Sequence, residues 1–257
     1  MAELSVNADA YRALHADKKE DSLKLYGSWF CPFVQRSWIT LEEKKVDYEY
    51  IEIDPYAKPP ELMKLNPRGL VPTLDHNGRA LYESLIVSEY VDETWPHEPK
   101  LLPDDTFKKA VGRIWIDHIN KKIVPTFYRI LQLRDAEHEE AKEDYLTALR
   151  ELSQAYEASS PEGPFFFGPC ISLVDIALAP WVPLRDFVLE HYKTFSIPWD
   201  DPQLKRLAAY KSAVDNSPSV RKTLADPEKL LGTYERYAKN TATSEVAKAV
   251  NAKKGLP

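Results

Sequence analysis

Hydrophobic and polar residues alternate where the patterned part of the chain begins, and the period then lengthens to that of a helix. Leu23 and Leu25 flank a polar residue, which is typical of a strand. Pro32 stands where the helical period starts, and proline is favoured at a first helical position because an N–H there would have no partner. The apolar positions that follow are Val34, Trp38 and Leu41. The pattern predicts a strand, a tight loop that ends at Cys31, and a helix.

The next segments extend this unit into a small α/β domain. A β-branched and aromatic run at 46–54 predicts a second strand, parallel to the first. Residues 71–82 predict a hairpin, because Asn77-Gly78 suits the positive φ angles of a type I′ turn. A helix is predicted over 84–95. With a short helix before the hairpin, the order β-α-β-(α)-β-β-α is that of a thioredoxin-like fold.

Strand signals disappear after this domain, and long helical patterns replace them. The proline-rich segment 96–105 is predicted as a linker. A helical pattern then runs from about 106 to 133, with a kink or break expected at Pro125. Further helices are predicted over 137–158, 202–216 and 227–239.

These patterns predict five segments and one capping pair. Ser172 and Asp175 stand three residues apart, the spacing of a helix-capping pair, and we assign them to folding. The segments are an N-terminal extension (1–20), an α/β domain (21–95), a linker (96–105), an all-helical domain (106–240) and a flexible tail (241–257).

Composition and charge exclude several classes of partner. The 257 residues include 40 acidic and 34 basic side chains, a formal net charge of −6, and no run of Lys and Arg marks a nucleic-acid surface. No apolar run approaches the length of a membrane span, and the first twenty residues lack the apolar core of a signal peptide. We expect a cytoplasmic protein that binds neither nucleic acid nor membrane.

The two cysteines differ in their expected roles. Two are too few for a disulfide framework, and neither they nor the histidines have metal-ligand spacing, so no metal is expected. Cys31 lies at a predicted helix start, where N–H donors and the helix dipole favour the reactive thiolate. The alternative is a small buried hydrophobe, which is the interpretation we favour for Cys170. Arg36, one turn after Cys31, could help to hold the thiolate, but we favour the interpretation that it faces solvent.

Three ordered motifs carry a resemblance to a known family. They are CPFVQR at 31–36, NPRGLVPTL at 66–74 and YES at 82–84. Together they resemble a glutathione transferase of the cysteine-using omega type. The resemblance implies a thioredoxin-like N-terminal domain followed by an all-α domain, glutathione as cosubstrate, and a homodimer.

The resemblance also implies a glutathione-binding site. Val71-Pro72 would be a cis bond, with the main chain of Val71 pairing to the tripeptide as a short strand. The start of the helix at Ser84, an N-cap by default, would receive the γ-glutamyl carboxylate, and Glu83 would pair with the amino group. Lys58 matches a glutathione-contacting lysine of the family, and Phe33 would lie beside the tripeptide.

A second-substrate pocket is implied between the two domains, above Cys31. Aromatic side chains are the candidates to line it, although each is as easily explained as a core residue. We select Phe30, Tyr128, Trp181 and Tyr237, with Trp29 as a further candidate.

The motifs predict glutathione-dependent thiol transfer, and two alternatives stay open. Because CPFV has no second cysteine, a mixed disulfide at Cys31 would need an external thiol for its resolution. The expected substrates are mixed disulfides, dehydroascorbate and glutathionyl ketones. The alternatives are a non-catalytic carrier of small hydrophobic molecules and a chloride-channel-like or dehydroascorbate-reductase-like relative with a similar motif.

Overall fold

The chain forms two compact units that divide between Glu98 and Pro99. A computed structural model describes residues 22–256. The boundary between the units lies inside the segment predicted as a linker, 96–105. The predicted N-terminal extension, 1–20, lies outside the described residues.

The first unit has the predicted order of strands and helices. The second strand is shorter than predicted and covers four residues rather than 46–54. The elements are β1 (Leu23–Gly27), α1 (Pro32–Glu43), β2 (Glu49–Glu52), α2 (Pro60–Leu65), β3 (Thr73–His76), β4 (Arg79–Tyr82) and α3 (Ser84–Thr94).

The four strands form one mixed sheet in the order β2-β1-β3-β4. β1 is parallel to β2 and antiparallel to β3, and β3 pairs antiparallel with β4. Asn77 and Gly78 both have positive φ, at 55° and 79°, which confirms the predicted hairpin turn. A thioredoxin-like first domain is therefore the observed fold.

Alternation along β1 divides the apolar side chains of the first unit into two clusters. Leu23 and Leu25 lie in a cluster that includes Val34 and Leu41 of α1 and Val87 and Val91 of α3. Tyr26 lies in a second cluster with Ile53 and Leu62 of α2. Successive residues of a strand point to opposite faces, so α1 and α3 cover one face of the sheet and α2 covers the other.

The second unit is all-helical among the described residues. Its first helix is followed by a π-helical segment, Ile119–Ile123, and the α-helix resumes at Val124, so the regular helix is interrupted just before Pro125, where a kink or break was predicted. The helices are α4 (Thr106–His118), α5 (Val124–Gln132), α6 (Asp135–Ser159), α7 (Leu173–Leu178), α8 (Asp186–Lys193), α9 (Lys205–Asn216), α10 (Pro218–Arg221), α11 (Pro227–Ala238) and α12 (Glu245–Asn251).

The last helix contradicts the prediction of a flexible tail at 241–257. Ser244 caps α12 by accepting a hydrogen bond from the Ala247 N–H at 3.1 Å. Ala247 and Val250 are buried at 0% and 7% exposure, so the segment has an apolar face that packs on the unit. Seven residues are too few for the apolar period to be recognised among polar neighbours, which is why the sequence prediction missed it.

The capping pair at the start of α7 is confirmed. The Asp175 carboxylate is fully buried and accepts hydrogen bonds from the Ser172 N–H at 2.8 Å, the Phe166 N–H at 3.0 Å and the Tyr156 hydroxyl at 2.8 Å, as well as from the Ser172 hydroxyl. Burial nevertheless outweighs these donors and raises the pKa of Asp175 to about 6. One carboxylate thus joins α6, α7 and the segment between them.

Residues 22–256 contain neither a helix that could span a membrane nor a cluster of metal-binding side chains. None of the helices there is both long and apolar enough to cross a bilayer. Over the same range, no group of three or more His, Cys, Asp or Glu side chains is arranged to hold a metal ion.

We predict that Asp175→Ala destabilises the protein by about 3 kcal/mol at pH 7, because it leaves several buried donors without an acceptor. The loss should be about 1 kcal/mol larger at pH 5. The folded-state pKa of Asp175 lies above its unfolded value, so its contribution to stability is greatest at low pH and falls as pH rises through about 6. Urea unfolding at both pH values measures this. Exposed Asp200→Ala is the control, and equal losses in the two variants would contradict the prediction.

Candidate active site

Cys31 occupies the N-cap position of α1, as predicted. Its backbone is extended, with φ −76° and ψ 119°, and Pro32 follows as the first helical residue. The Cys31 N–H donates to the Ser28 carbonyl at 2.9 Å, and the Cys31 carbonyl accepts from the Gln35 N–H at 3.1 Å. The side chain is partly exposed. The sulfur is thus attached at the positive end of a twelve-residue helix and is accessible to a reagent.

The first turn of α1 places Phe33 beside a buried arginine. Phe33 is partly exposed, and the Arg36 guanidinium carbon lies 5.6 Å from the centre of its ring. Arg36 is only 1% exposed, so the prediction that it faces solvent is wrong. The reason is that α1 is buried beyond its apolar stripe, with Gln35 and Ser37 also buried.

A compact loop precedes β3, and Asn66 organises it. The Asn66 amide donates to the Leu70 carbonyl at 3.0 Å and to the Thr73 hydroxyl at 3.1 Å, while its side-chain oxygen accepts from the Arg68 N–H at 3.1 Å. Asn66 is fully buried, so these bonds are shielded from water. A single side chain therefore fixes the approach to Val71.

The loop ends at Val71, whose bond to Pro72 is cis, as predicted. Within residues 22–256, neither the N–H nor the C=O of Val71 has a hydrogen-bond partner. Val71 contacts the apolar cluster that Cys31 also contacts, and it contacts the cluster on the other face of the sheet as well. An extended peptide could therefore pair with the Val71 main chain close to the sulfur.

The start of α3 differs from the predicted arrangement by one position. Glu83 is the N-cap, and Ser84 is the first helical residue. Glu83 has φ 73° and ψ 110°, a region in which a non-glycine residue is strained. Ser84 is 7% exposed, and its hydroxyl has no partner in the described part of the chain. Its carbonyl accepts from the Ser37 hydroxyl at 3.2 Å, which fixes α3 to α1.

Two cations lie at the loop 66–71, Arg68 within it and Lys58 from the segment before α2. The Arg68 guanidinium forms an ion pair with the Glu83 carboxylate, which joins the loop to the start of α3. Lys58 is exposed, and its side chain lies over Gly69, where an added Cβ would be 3.3 Å from the Lys58 Nζ. Gly69 has φ 59°, so both its conformation and this contact favour glycine. The loop 66–71, Lys58 and the start of α3 thus lie at one end of the sheet.

Sequence and structure comparisons identify the family. The description "Glutathione S-transferase, N-terminal domain" matches residues 25–99, and "Glutathione S-transferase, C-terminal domain" matches residues 135–210. Glutathione S-transferase U19 of Arabidopsis thaliana is 35% identical over 206 residues, which cover 79% of this chain and 89% of that protein. The chain belongs to the glutathione S-transferase family.

Solved glutathione transferases of two classes share the fold. Glutathione transferase Omega 3C from Trametes versicolor is 40% identical with a TM-score of 0.79, over 92% of this chain and 98% of that one. A Tau class glutathione S-transferase from mango, Mangifera indica, is 30% identical with a TM-score of 0.77, over 86% of this chain and 99% of that one. The comparisons thus establish the family without singling out one class.

The residues predicted to line a second-substrate pocket have different environments in this glutathione S-transferase. Tyr128 and Trp181 are 2% and 0% exposed, which contradicts a pocket-lining role and makes them core residues. Burial is the usual fate of such large aromatic side chains, and a single sequence cannot separate core from pocket. Tyr237 is partly exposed, and its ring centre lies 5.6 Å from that of Tyr128. Phe30 is partly exposed and packs edge-on against Trp29 at 5.4 Å.

Three residues near the site were not selected from the sequence. Arg68 lies inside the NPRGLVPTL motif, but only its ion pair with Glu83 gives it a role. Glu52 ends β2, and its carboxylate accepts from the Trp29 N–H at 3.2 Å, beside the loop that carries Cys31. Tyr50, on the same strand, packs against the cluster that contains Cys31. Strand pairing brings Tyr50 and Glu52 to the site, and no local motif signals it.

We predict that Glu83→Gly is no less stable than the wild type, because glycine adopts a positive φ without strain. Relief of strain, about 1–3 kcal/mol, offsets the entropy of glycine and the exposed ion pair with Arg68. The matched control, exposed Glu93→Gly within α3, should lose about 1 kcal/mol. Urea unfolding compares the two, and an equal loss at both positions would show that residue 83 is unstrained.

Proposed function

We propose that this glutathione S-transferase is a cysteine-dependent enzyme of the omega type that catalyses glutathione-dependent thiol transfer. The observation that carries the proposal is the position of Cys31, at the N-cap of α1 and on the same apolar cluster as Val71. A thiol at a helix N-terminus is favoured as thiolate, which is the nucleophilic species. A backbone with unused hydrogen-bonding groups beside it suits a peptide thiol.

The proposed reaction has two exchange steps. The Cys31 thiolate attacks the glutathionyl sulfur of a mixed disulfide, so that a Cys31–glutathione disulfide forms and the substrate sulfur leaves as a thiolate that takes a proton. A glutathione thiolate then attacks the glutathionyl sulfur held on Cys31. Oxidised glutathione is released and the Cys31 thiolate is regenerated. Each mixed disulfide that is reduced therefore consumes one glutathione, and the substrate's own glutathionyl group forms the other half of the oxidised glutathione.

Glutathione is the proposed occupant of the loop and the two helix starts. Its cysteinyl unit would pair with the Val71 main chain, and its γ-glutamyl carboxylate would meet the Ser84 hydroxyl and the N-terminus of α3. Its amino group would share the Glu83 carboxylate with Arg68. Lys58, in the segment before α2, supplies a cation beside Gly69 of that loop, and Phe33 supplies an apolar surface in the first turn of α1.

The wider proposals concern substrate, location and assembly. Disulfides, dehydroascorbate and glutathionyl ketones share the need for a nucleophilic sulfur, and all are proposed substrate classes. A cytoplasmic location is proposed because neither Cys31 nor Cys170 is in a disulfide. A homodimer is proposed because large apolar side chains are exposed, at Ile86 on α3 and at Phe107 and Ile114 on α4.

We predict that Cys31→Ser abolishes turnover of a glutathionyl mixed disulfide, because serine cannot form a disulfide. Release of glutathione, coupled to glutathione reductase, measures the rate. Wild type treated with oxidised glutathione should gain one glutathione, mapped to Cys31 by mass spectrometry. Cys170→Ser, at an exposed cysteine that was expected to be buried, should keep full turnover. If wild type neither turns over nor forms the adduct, the non-catalytic carrier becomes the better account.

We predict that Lys58→Ala raises the KM for glutathione about threefold to tenfold with little change in kcat, since a solvated cation contributes modest, uniform binding. Initial rates at varied glutathione concentration measure both constants. Lys64→Ala, at an exposed lysine in α2, controls for the loss of one positive charge. Equal effects of the two variants would show that Lys58 acts only through overall charge.

A further inference from the structure

A buried hydroxyl lies beneath the start of α1 without a hydrogen-bond partner. It belongs to Tyr50 of β2, which pairs with Leu25 of β1. A Cβ added to Gly27 would lie 3.0 Å from the Tyr50 hydroxyl oxygen and 2.5 Å from Val34 Cγ1. The hydroxyl therefore sits where the end of β1 meets the first turn of α1. The Trp38 ring packs on Tyr50 with 4.7 Å between ring centres and holds it there.

An orphaned buried hydroxyl is costly, and this one has an ionisable sulfur nearby. Leaving a buried polar group unpaired destabilises the folded state, so such groups in folded proteins call for an explanation. Cys31 and Tyr50 pack against the same apolar cluster. Burial, followed by the negative charges of Glu52 and Cys31, raises the pKa of Tyr50 well above its ordinary value. Tyr50 therefore remains a neutral donor whenever Cys31 is ionised.

Other groups around Tyr50 are already engaged. The Glu52 carboxylate is close enough to influence the phenol, but the two do not form a hydrogen bond of acceptable geometry, and Glu52 accepts from the Trp29 N–H at 3.2 Å. Tyr48 donates to Glu42 at 2.7 Å. The negative charge of Asp54 contributes to the raised pKa of Glu52, and Arg36 is the buried cation on α1. Of the acceptors near the phenol, the sulfur is the one whose charge changes during the proposed reaction.

We propose that the Tyr50 hydroxyl is the buried hydrogen-bond donor for the Cys31 thiolate, reached by rotation of the cysteine side chain. This inference rests on the proposed function in taking Cys31 as the nucleophile. Tyr50 keeps its proton throughout, so its role is to stabilise the anion that the helix N-terminus also favours. A hydrogen bond from a neutral donor favours the charged form of the sulfur over the protonated form.

The experiment follows the alkylation of Cys31 by iodoacetamide as a function of pH. It uses a Cys170→Ser background, so that Cys31 is the one cysteine left to react. Tyr50→Phe keeps the packed ring and removes the hydroxyl. We expect the midpoint of the pH profile to rise by about one unit, which slows alkylation about tenfold below the midpoint. Tyr48→Phe, which removes a neighbouring hydroxyl bonded to Glu42, should leave the midpoint unchanged.

An unchanged midpoint in Tyr50→Phe would overturn the proposal, and so would an equal rise in Tyr48→Phe. Thermal unfolding checks the fold, and Tyr50→Phe should be no less stable than wild type because it removes an unpaired buried group. Alkylation does not involve glutathione, which keeps this test separate from that of the proposed function. A raised midpoint in a protein without transferase turnover would sustain the role of Tyr50 and remove the proposed function.

Discussion

The close approach of β1, β2 and α1 at Gly27 is the contact on which the site depends. An added Cβ there would lie 2.5 Å from Val34 Cγ1, closer than real side chains allow, and 3.0 Å from the Tyr50 hydroxyl, which is tighter than most real contacts. Only a residue without a side chain lets the strand end directly under the first turn of α1. That contact fixes the short loop from Ser28 to Cys31, and hence the position of the sulfur relative to the sheet.

Backbone geometry, more than side-chain chemistry, shapes the rest of the site. Cys31 caps α1, Glu83 caps α3 in a strained conformation, and Val71 offers an unpaired N–H and C=O. Each of these features presents polar backbone groups at one end of the same sheet. The buried hydrogen bonds of Asn66 and of Ser37 hold the loop and the second helix start in register with the first. A peptide ligand would meet donors and acceptors that are already oriented, so little ordering free energy would be spent on binding.

The sequence predicted features that depend on local pattern and missed those that depend on pairing across the fold. The strand–helix order, the turn at Asn77, the N-cap at Cys31 and the capping pair at Asp175 follow from neighbours within a few residues. The burial of Arg36 and Trp181 and the exposure of Cys170 depend on what packs against them, which no local period encodes. The strain at Glu83 was also hidden, because glutamate gives no sign of a positive φ.

The same distinction between scaffold and local residues applies to the assignment of a class within the family. Relatives named for the omega and Tau classes are similar over nearly their whole lengths, so the shared scaffold carries no information about the nucleophile. What a site of this form does depends on the atom at the N-cap of α1. A hydroxyl there can only donate to the sulfur of a bound thiol, whereas a thiolate can attack a bound disulfide, take up one of its sulfurs in a mixed disulfide and release the other as a thiolate. With cysteine at position 31, the helix end acts on the protein's own sulfur, and the proposed Tyr50 donor would act on the same atom. In the proposed mechanism, the ionisation of that sulfur is the property that these groups regulate.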